Sequence, residues 1–261
     1  MAARAKRNKR IAFAYAKACA ASVEVAWRTA EEAEAAGIII CGAEIQAAAR
    51  RFLADMERPD LTFRPRDADF ACNIIERVMV HNQGQALDGT PLTNTPFRMQ
   101  PWQVFIVVNL LGFFYKGTRN RRYKEAFIFV PRKNGKTIFA AALAFALGLL
   151  ERRSGVKIYI VAASLKQATE SFNDILYTIR YRGMADEFRI RNNNAEHSLH
   201  HDFEDEDGLP CGYLTIEALA SNPEAQDSFN APISIADEIQ RSSGRASTTA
   251  SRRRARPTPT N

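Results

Sequence analysis

Val130-Pro131-Arg132-Lys133-Asn134-Gly135-Lys136-Thr137 separates one apolar stretch, Glu125–Val130, from another, Ile138–Arg153. The first has the length of a strand and the second that of a helix, so the octapeptide reads as a strand-to-helix turn. A Gly-Lys-Thr turn in that position has a chemical meaning. Backbone N–H groups of the turn and helix N-terminus wrap phosphate oxygens, the lysine ammonium reaches the β and γ oxygens, and the next hydroxyl ligates Mg²⁺. Lys136 and Thr137 fit the last two roles, with Pro131, Arg132, Lys133, Asn134 and Gly135 forming the cradle. The general phosphate-loop pattern places glycine where this chain has Val130, so the tripeptide alone also suits an ordinary polar turn.

Further along, Ile233-Ser234-Ile235-Ala236-Asp237-Glu238 reads as a buried strand ending in two carboxylates. An aspartate at the C-terminal end of a strand can hold Mg²⁺ through its water shell, and the adjacent glutamate can polarise an attacking water. Asp237 and Glu238 are the candidates for those roles. Between the two motifs lie a strand, Lys157–Ala163, a helix, Leu165–Tyr181, and a hairpin over Arg189–Leu219 that turns at Glu204–Gly208. Strands alternating with helices imply a mostly parallel sheet covered on both faces. The expected fold is α/β, a P-loop ATPase of the kind with an additional strand and a catalytic glutamate, using ATP and Mg²⁺.

Upstream, Ile11 to about Arg51 is rich in Ala and Glu, and Asp67–Asn82 sets Phe70, Ile74, Ile75, Val78 and Met79 at helical spacing. Gly84–Pro101 is dense in turn formers and leads into the apolar helix that contains Trp102 and Phe105. The predicted organisation is a helical region over 1–83, an ATPase domain over 84–240 and a basic tail over 241–261, disordered for want of large apolar side chains.

The formal net charge of +7 resembles a nucleic-acid signature, but its distribution does not. Met1–Arg10 carries five basic residues and Ile239–Asn261 six, neither with an acid, which leaves 25 basic against 29 acidic residues between them. Charge is therefore weak evidence for a DNA partner. Four cysteines without a C-x-x-C pair point to thiols in a reducing compartment. The apolar run Ile138–Leu150 is shorter than the roughly 20 residues a bilayer-spanning helix needs. His197, His200, His201 and Cys211 match no structural zinc spacing, and Asp202–Asp207 lacks the EF-hand pattern, so both read as solvated hairpin residues.

Pro131-Arg132-Lys133-Asn134-Gly135-Lys136-Thr137 resembles the variant phosphate loop of large terminase subunits from tailed bacteriophages, in which an arginine stands within the glycine-rich turn. Phe97-Arg98-Met99-Gln100-Pro101-Trp102-Gln103, Ala162-Ala163-Ser164-Leu165-Lys166-Gln167-Ala168 and Asp227-Ser228-Phe229-Asn230 extend the resemblance, from about Asp67 to Glu238. It implies that Gln103, or else Gln100, reads the edge of adenine. It also implies that Arg132 acts as an arginine finger beside Lys136 and Glu238. The implied activity is ATP hydrolysis driving double-stranded DNA into a procapsid in the cytoplasm of the bacterial host. Its partners would be the portal protein, the small terminase subunit and further copies in a ring, with no membrane. The family's coupling motif and nuclease lobe have no counterpart after Ile239, so a truncated ATPase lobe without nuclease activity is expected. A helicase-like ATPase lobe and an inactive prophage remnant are the alternatives.

Overall fold

The computed structural model describes residues 2–22, 32, 35–86, 88–131, 133–152, 155–194, 196–220 and 233–236. Helices come first: α1 (Ala2–Ala20), α2 (Ala43–Glu57), α3 (Pro65–Val78) and α4 (Pro101–Gly112). Ala12, Ala16 and Cys19 recur on the buried side of α1, and their small side chains let α2 and α4 pack closely against it. α3 starts on Pro65, where a missing N–H costs nothing, and buries Ala68, Ala71, Cys72 and Ile75. Two short strands, β1 (Leu61–Phe63) and β2 (Phe113–Tyr115), pair antiparallel with Thr62 opposite Phe114.

Polar pairs fix the helices where apolar contact alone would let them slide. Asn8 Nδ2 donates to Asp69 Oδ1 at 2.9 Å, and Arg7 meets Glu76 at 3.0 Å. Buried Asp55 takes an ion pair from Arg122 at 2.7 Å and a hydrogen bond from the Tyr123 hydroxyl at 2.8 Å. Removing one partner of such a pair leaves a buried group unsatisfied, which costs more than the pair itself contributes.

The second half of the chain is α5 (Lys136–Glu151), β3 (Val156–Ala162), α6 (Leu165–Tyr181), β4 (Arg189–Asn192), β5 (His197–Glu204), β6 (Pro210–Ala220) and β7 (Ile233–Ala236). The five strands run in the order β4-β5-β6-β3-β7. Parallel pairing joins β6, β3 and β7, while β4, β5 and β6 are antiparallel neighbours. The hairpin anticipated over Arg189–Leu219 thus extends the sheet, which is mixed. The class is α/β with helices at the N-terminus, as the sequence implied. β3, Val-Lys-Ile-Tyr-Ile-Val-Ala, lies between two parallel neighbours and buries Ile158 and Ile160 completely. α5 lies close against the sheet because Gly148 has no side chain. A Cβ there would stand 2.4 Å from Leu214 and 3.0 Å from Ile158. One buried apolar cluster runs through the helices and the sheet alike.

One expected element is not found. Glu125–Val130 has the composition of a strand but forms none, and Phe127 and Phe129 are 84% and 86% exposed. Apolar content makes a segment suitable for a sheet, but only hydrogen bonding to a neighbouring edge makes it a strand. The outer edge of β7 has no partner among the described residues.

Candidate active site

The phosphate-loop residues sit where the turn passes into α5. Gly135 caps the helix at φ 68°, ψ 26°, and Lys133 also has a positive φ of 66°. The left-handed conformation costs glycine nothing and costs lysine about 1 kcal/mol, the kind of strain that gathers at ligand-binding turns. Asn134 Nδ2 donates to the Pro131 carbonyl at 3.3 Å, and Phe139 N–H donates to the Gly135 carbonyl at 3.0 Å. The first N–H groups of α5 have no acceptors inside the helix, as at every helix start, and the helix dipole adds partial positive charge there. Lys136 and Thr137 are half-buried in this first turn, whereas Lys133, Asn134 and Gly135 are exposed.

A cleft of about 2010 Å³ opens beside the turn, and Pro131, Lys133, Gly135, Lys136 and Thr137 line it. Ile233, Ser234, Ile235 and Ala236 line it as well. Residues nearly 100 positions apart therefore share one cavity, because β7 runs parallel to β3 with Ile235 opposite Ile160. Asp237 and Glu238, which follow β7 directly, lie outside the described residues, as do Arg132, Asp227–Asn230 and the tail from 241 onward.

Gln100 and Gln103 open α4. Gln103 is buried and its Oε1 accepts the Gln100 backbone N–H at 2.8 Å, while the exposed Gln100 accepts the Gln103 backbone N–H through its own side chain, so the two form a capping box. Neither glutamine lines the cleft. Their helix is nonetheless joined to the phosphate turn, since the Trp102 ring meets that of Phe139 edge to face at 5.7 Å.

Sequence reasoning missed part of the cleft wall. Asn82, beyond α3, and Glu170, Asn173 and Asp174 of α6 all face the cavity. Burial pushes the Asp174 carboxyl up to about 6, against the opposing effect of a hydrogen bond with Asn82, while nearby Glu170 adds repulsion. A carboxylate pair spaced i, i+4 on a helix that otherwise buries Ala168, Phe172, Ile175 and Ile179 was the available signal. In the hairpin, His200 bonds to Thr215 and Asp202.

The fold is thus α/β, with a left-handed glycine turn that opens a buried helix and shares a cleft with a parallel strand, an arrangement suited to an anionic ligand. The family model for the terminase large subunit, ATPase domain, matches residues 101–258, and the chain belongs to that family. Comparison with curated proteins gives no match. Among solved structures, the large terminase of bacteriophage HK97 is similar, at 18% identity and a TM-score of 0.43, over 67% of this chain and 37% of that one. The chain thus spans well under two thirds of the length of that terminase. No helix among the described residues is long and apolar enough to cross a membrane.

Proposed function

We propose that this chain binds ATP with Mg²⁺ in the cleft between the phosphate turn and β7 and hydrolyses it as the motor lobe of a phage DNA-packaging terminase. The observation that carries the proposal is the convergence of Lys136, Thr137 and the Ile233–Ala236 strand on one cavity. The turn suits phosphate: Gly135 is left-handed, and a Cβ there would meet nothing nearer than Ile138 at 3.7 Å, so the backbone is open to close approach.

In this proposal the N–H groups at the start of α5 and the Lys136 ammonium hold the β and γ phosphates. Thr137 and Asp237 hold Mg²⁺, which when bound neutralises phosphate charge. Glu238 accepts a proton from the attacking water, and the Arg132 guanidinium offsets charge developing on the transferred phosphoryl group. Gln100, exposed at the start of α4 outside the cleft lining, is the amide offered to adenine, which would exchange its capping bond for one to the base, and Gln103 holds its backbone N–H. Double-stranded DNA, a portal protein, a small terminase subunit and further copies in a ring are the proposed partners, and the cytoplasm of a bacterial host is the proposed setting. The proposed organisation remains a helical region over 1–83 followed by the ATPase domain over 84–240.

ATP turnover by the purified chain tests this directly. Lys136→Ala is expected to abolish most nucleotide binding, and Glu238→Gln to leave binding intact while slowing hydrolysis about 10²-fold or more. Unchanged affinity in the first variant, or unchanged turnover in the second, would remove the assigned residue from its role.

A further inference from the structure

Away from the cleft, the last turn of α1 holds a group of side chains that ATP hydrolysis does not use. Cys19 is fully buried there, and the Tyr15 hydroxyl, one turn earlier, and the Cys41 thiol are its hydrogen-bonding neighbours. Cys41 lies 22 positions further along the chain yet is seated on the same helix end by several contacts. Its Sγ is 3.7 Å from the Cys19 carbonyl oxygen, its N–H donates to Ser22 Oγ at 3.2 Å, and Ile39 N–H donates to the Ala18 carbonyl at 3.3 Å. On the other side Gln46 Nε2, in the first turn of α2, donates to the Cys41 carbonyl at 2.9 Å.

Two thiols are thus brought together by backbone hydrogen bonds that belong to the fold. They differ in access: Cys41 is partly exposed, and Cys19 is buried. One thiol open to solvent with a second behind it is the arrangement of an attacking and a resolving cysteine. We propose that Cys19 and Cys41 form a reversible dithiol–disulfide site, oxidised by small-molecule disulfides of the glutathione class, that fastens the end of α1 to the segment entering α2.

The exchange balances in two steps. The Cys41 thiol gives its proton to solvent, and the thiolate attacks one sulfur of glutathione disulfide. A Cys41–glutathione bond forms, and one glutathione leaves as thiolate. Cys19 sulfur then attacks Cys41 Sγ and expels the second glutathione, which takes up the proton Cys19 loses. Two protein thiols are oxidised to one disulfide while one glutathione disulfide is reduced to two thiols. Burial pushes the Cys19 thiol up to about 12, so the second step is the slow one and the mixed disulfide should be observable on the way.

The full-length chain incubated with glutathione disulfide, alkylated and mapped by peptide mass spectrometry tests the proposal. The expected product contains a Cys19–Cys41 cross-linked peptide, weighs about 2 Da less than the reduced protein before alkylation, and reverts with dithiothreitol. Cys19→Ser should instead stop at a stable glutathione adduct on Cys41, and Cys41→Ser should leave Cys19 unmodified. Should either variant fold poorly, the time course of the unsubstituted chain serves instead, with an adduct on Cys41 rising and then falling as the cross-link appears. A persistent adduct on Cys41 of the unsubstituted chain, a cross-link between other cysteines, or no reaction at Cys41 would overturn the proposal.

Discussion

Trp102, at the start of α4, and Phe139, in the first turn of α5, meet edge to face with their ring centroids 5.7 Å apart. The contact couples the segment that carries Gln100 and Gln103 to the helix start that carries Lys136 and Thr137. Trp102→Ala is expected to cost about 1 to 3 kcal/mol of stability. ATP affinity should fall several-fold in addition, because the first turn of α5 loses its abutment. Calorimetric affinity equal to that of the unsubstituted chain, alongside a lower melting temperature, would show that the contact is structural alone.

Gln100 and Gln103 should separate on substitution. Gln103→Ala removes a buried cap and leaves the Gln100 N–H without its acceptor, a loss of about 1 kcal/mol or somewhat more. Gln100→Ala removes the exposed half of the same capping box, a loss of about 0.5 to 1 kcal/mol, and should in addition reduce the preference for ATP over GTP. A GTP preference that does not move in the Gln100 variant would take the base-reading role away from it.

Asp174 makes stability depend on pH in an unusual direction. Its carboxyl titrates at about 6, above the ordinary aspartate value, so the folded chain holds this proton more tightly than the unfolded chain does. Its contribution is therefore greatest below about pH 4 and is lost as pH rises through 6. Asp174→Asn should stabilise the chain at pH 7 by up to roughly 3 kcal/mol and by progressively less as pH is lowered toward 4. Urea titrations of both proteins at pH 5 and pH 7 decide this, and a difference that does not change with pH would show that burial of Asp174 is not the cause.

Gly148 should resist its mildest replacement. In an exposed helix Gly→Ala gains up to about 1 kcal/mol, but here the new methyl would overlap Leu214 and crowd Ile158, so both side chains must shift. A net loss of about 1 to 3 kcal/mol is expected, and a more stable alanine variant would mean that α5 can lift from the sheet without penalty.

How far these features were legible in the sequence depends on how local their causes are. The bounds of α6, from Leu165 to Tyr181, and of β7 coincide with the sequence expectation, since a capping serine at 164 and alternating isoleucines are local signals. β7 was expected to be buried, however, and is instead partly exposed, with Ser234 and Ala236 open to solvent. α5 begins two residues earlier than its apolar run because Gly135 sets its cap. Phe127 and Phe129 were legible as apolar but not as exposed, for whether a segment pairs depends on an edge supplied from elsewhere in the chain. Gln103 carried two signals at once, an amide suited to adenine and a third-position cap after a proline-started helix, and the second is in use in the folded chain. Asp174 could be found only as an acid among apolar positions, and its neighbour Asn82 is brought to it by tertiary packing.

The pairing of β7 with β3 also carries a consequence for how the chain reaches its native state. Ile160 and Ile235 stand opposite each other in the parallel pairing of β3 with β7 although 75 positions separate them, whereas β5 and β6 join through a short turn at Asp205–Leu209. Closing a long loop costs entropy before any contact repays it, so local pairings form early and distant parallel ones late. The hairpin and the helices should therefore gain protection first in pulsed hydrogen exchange, and the amides of Ile233–Ala236 last. The chain would pass through a nearly folded stage without nucleotide affinity, and a ligand that engages β7 would act on the final step of folding.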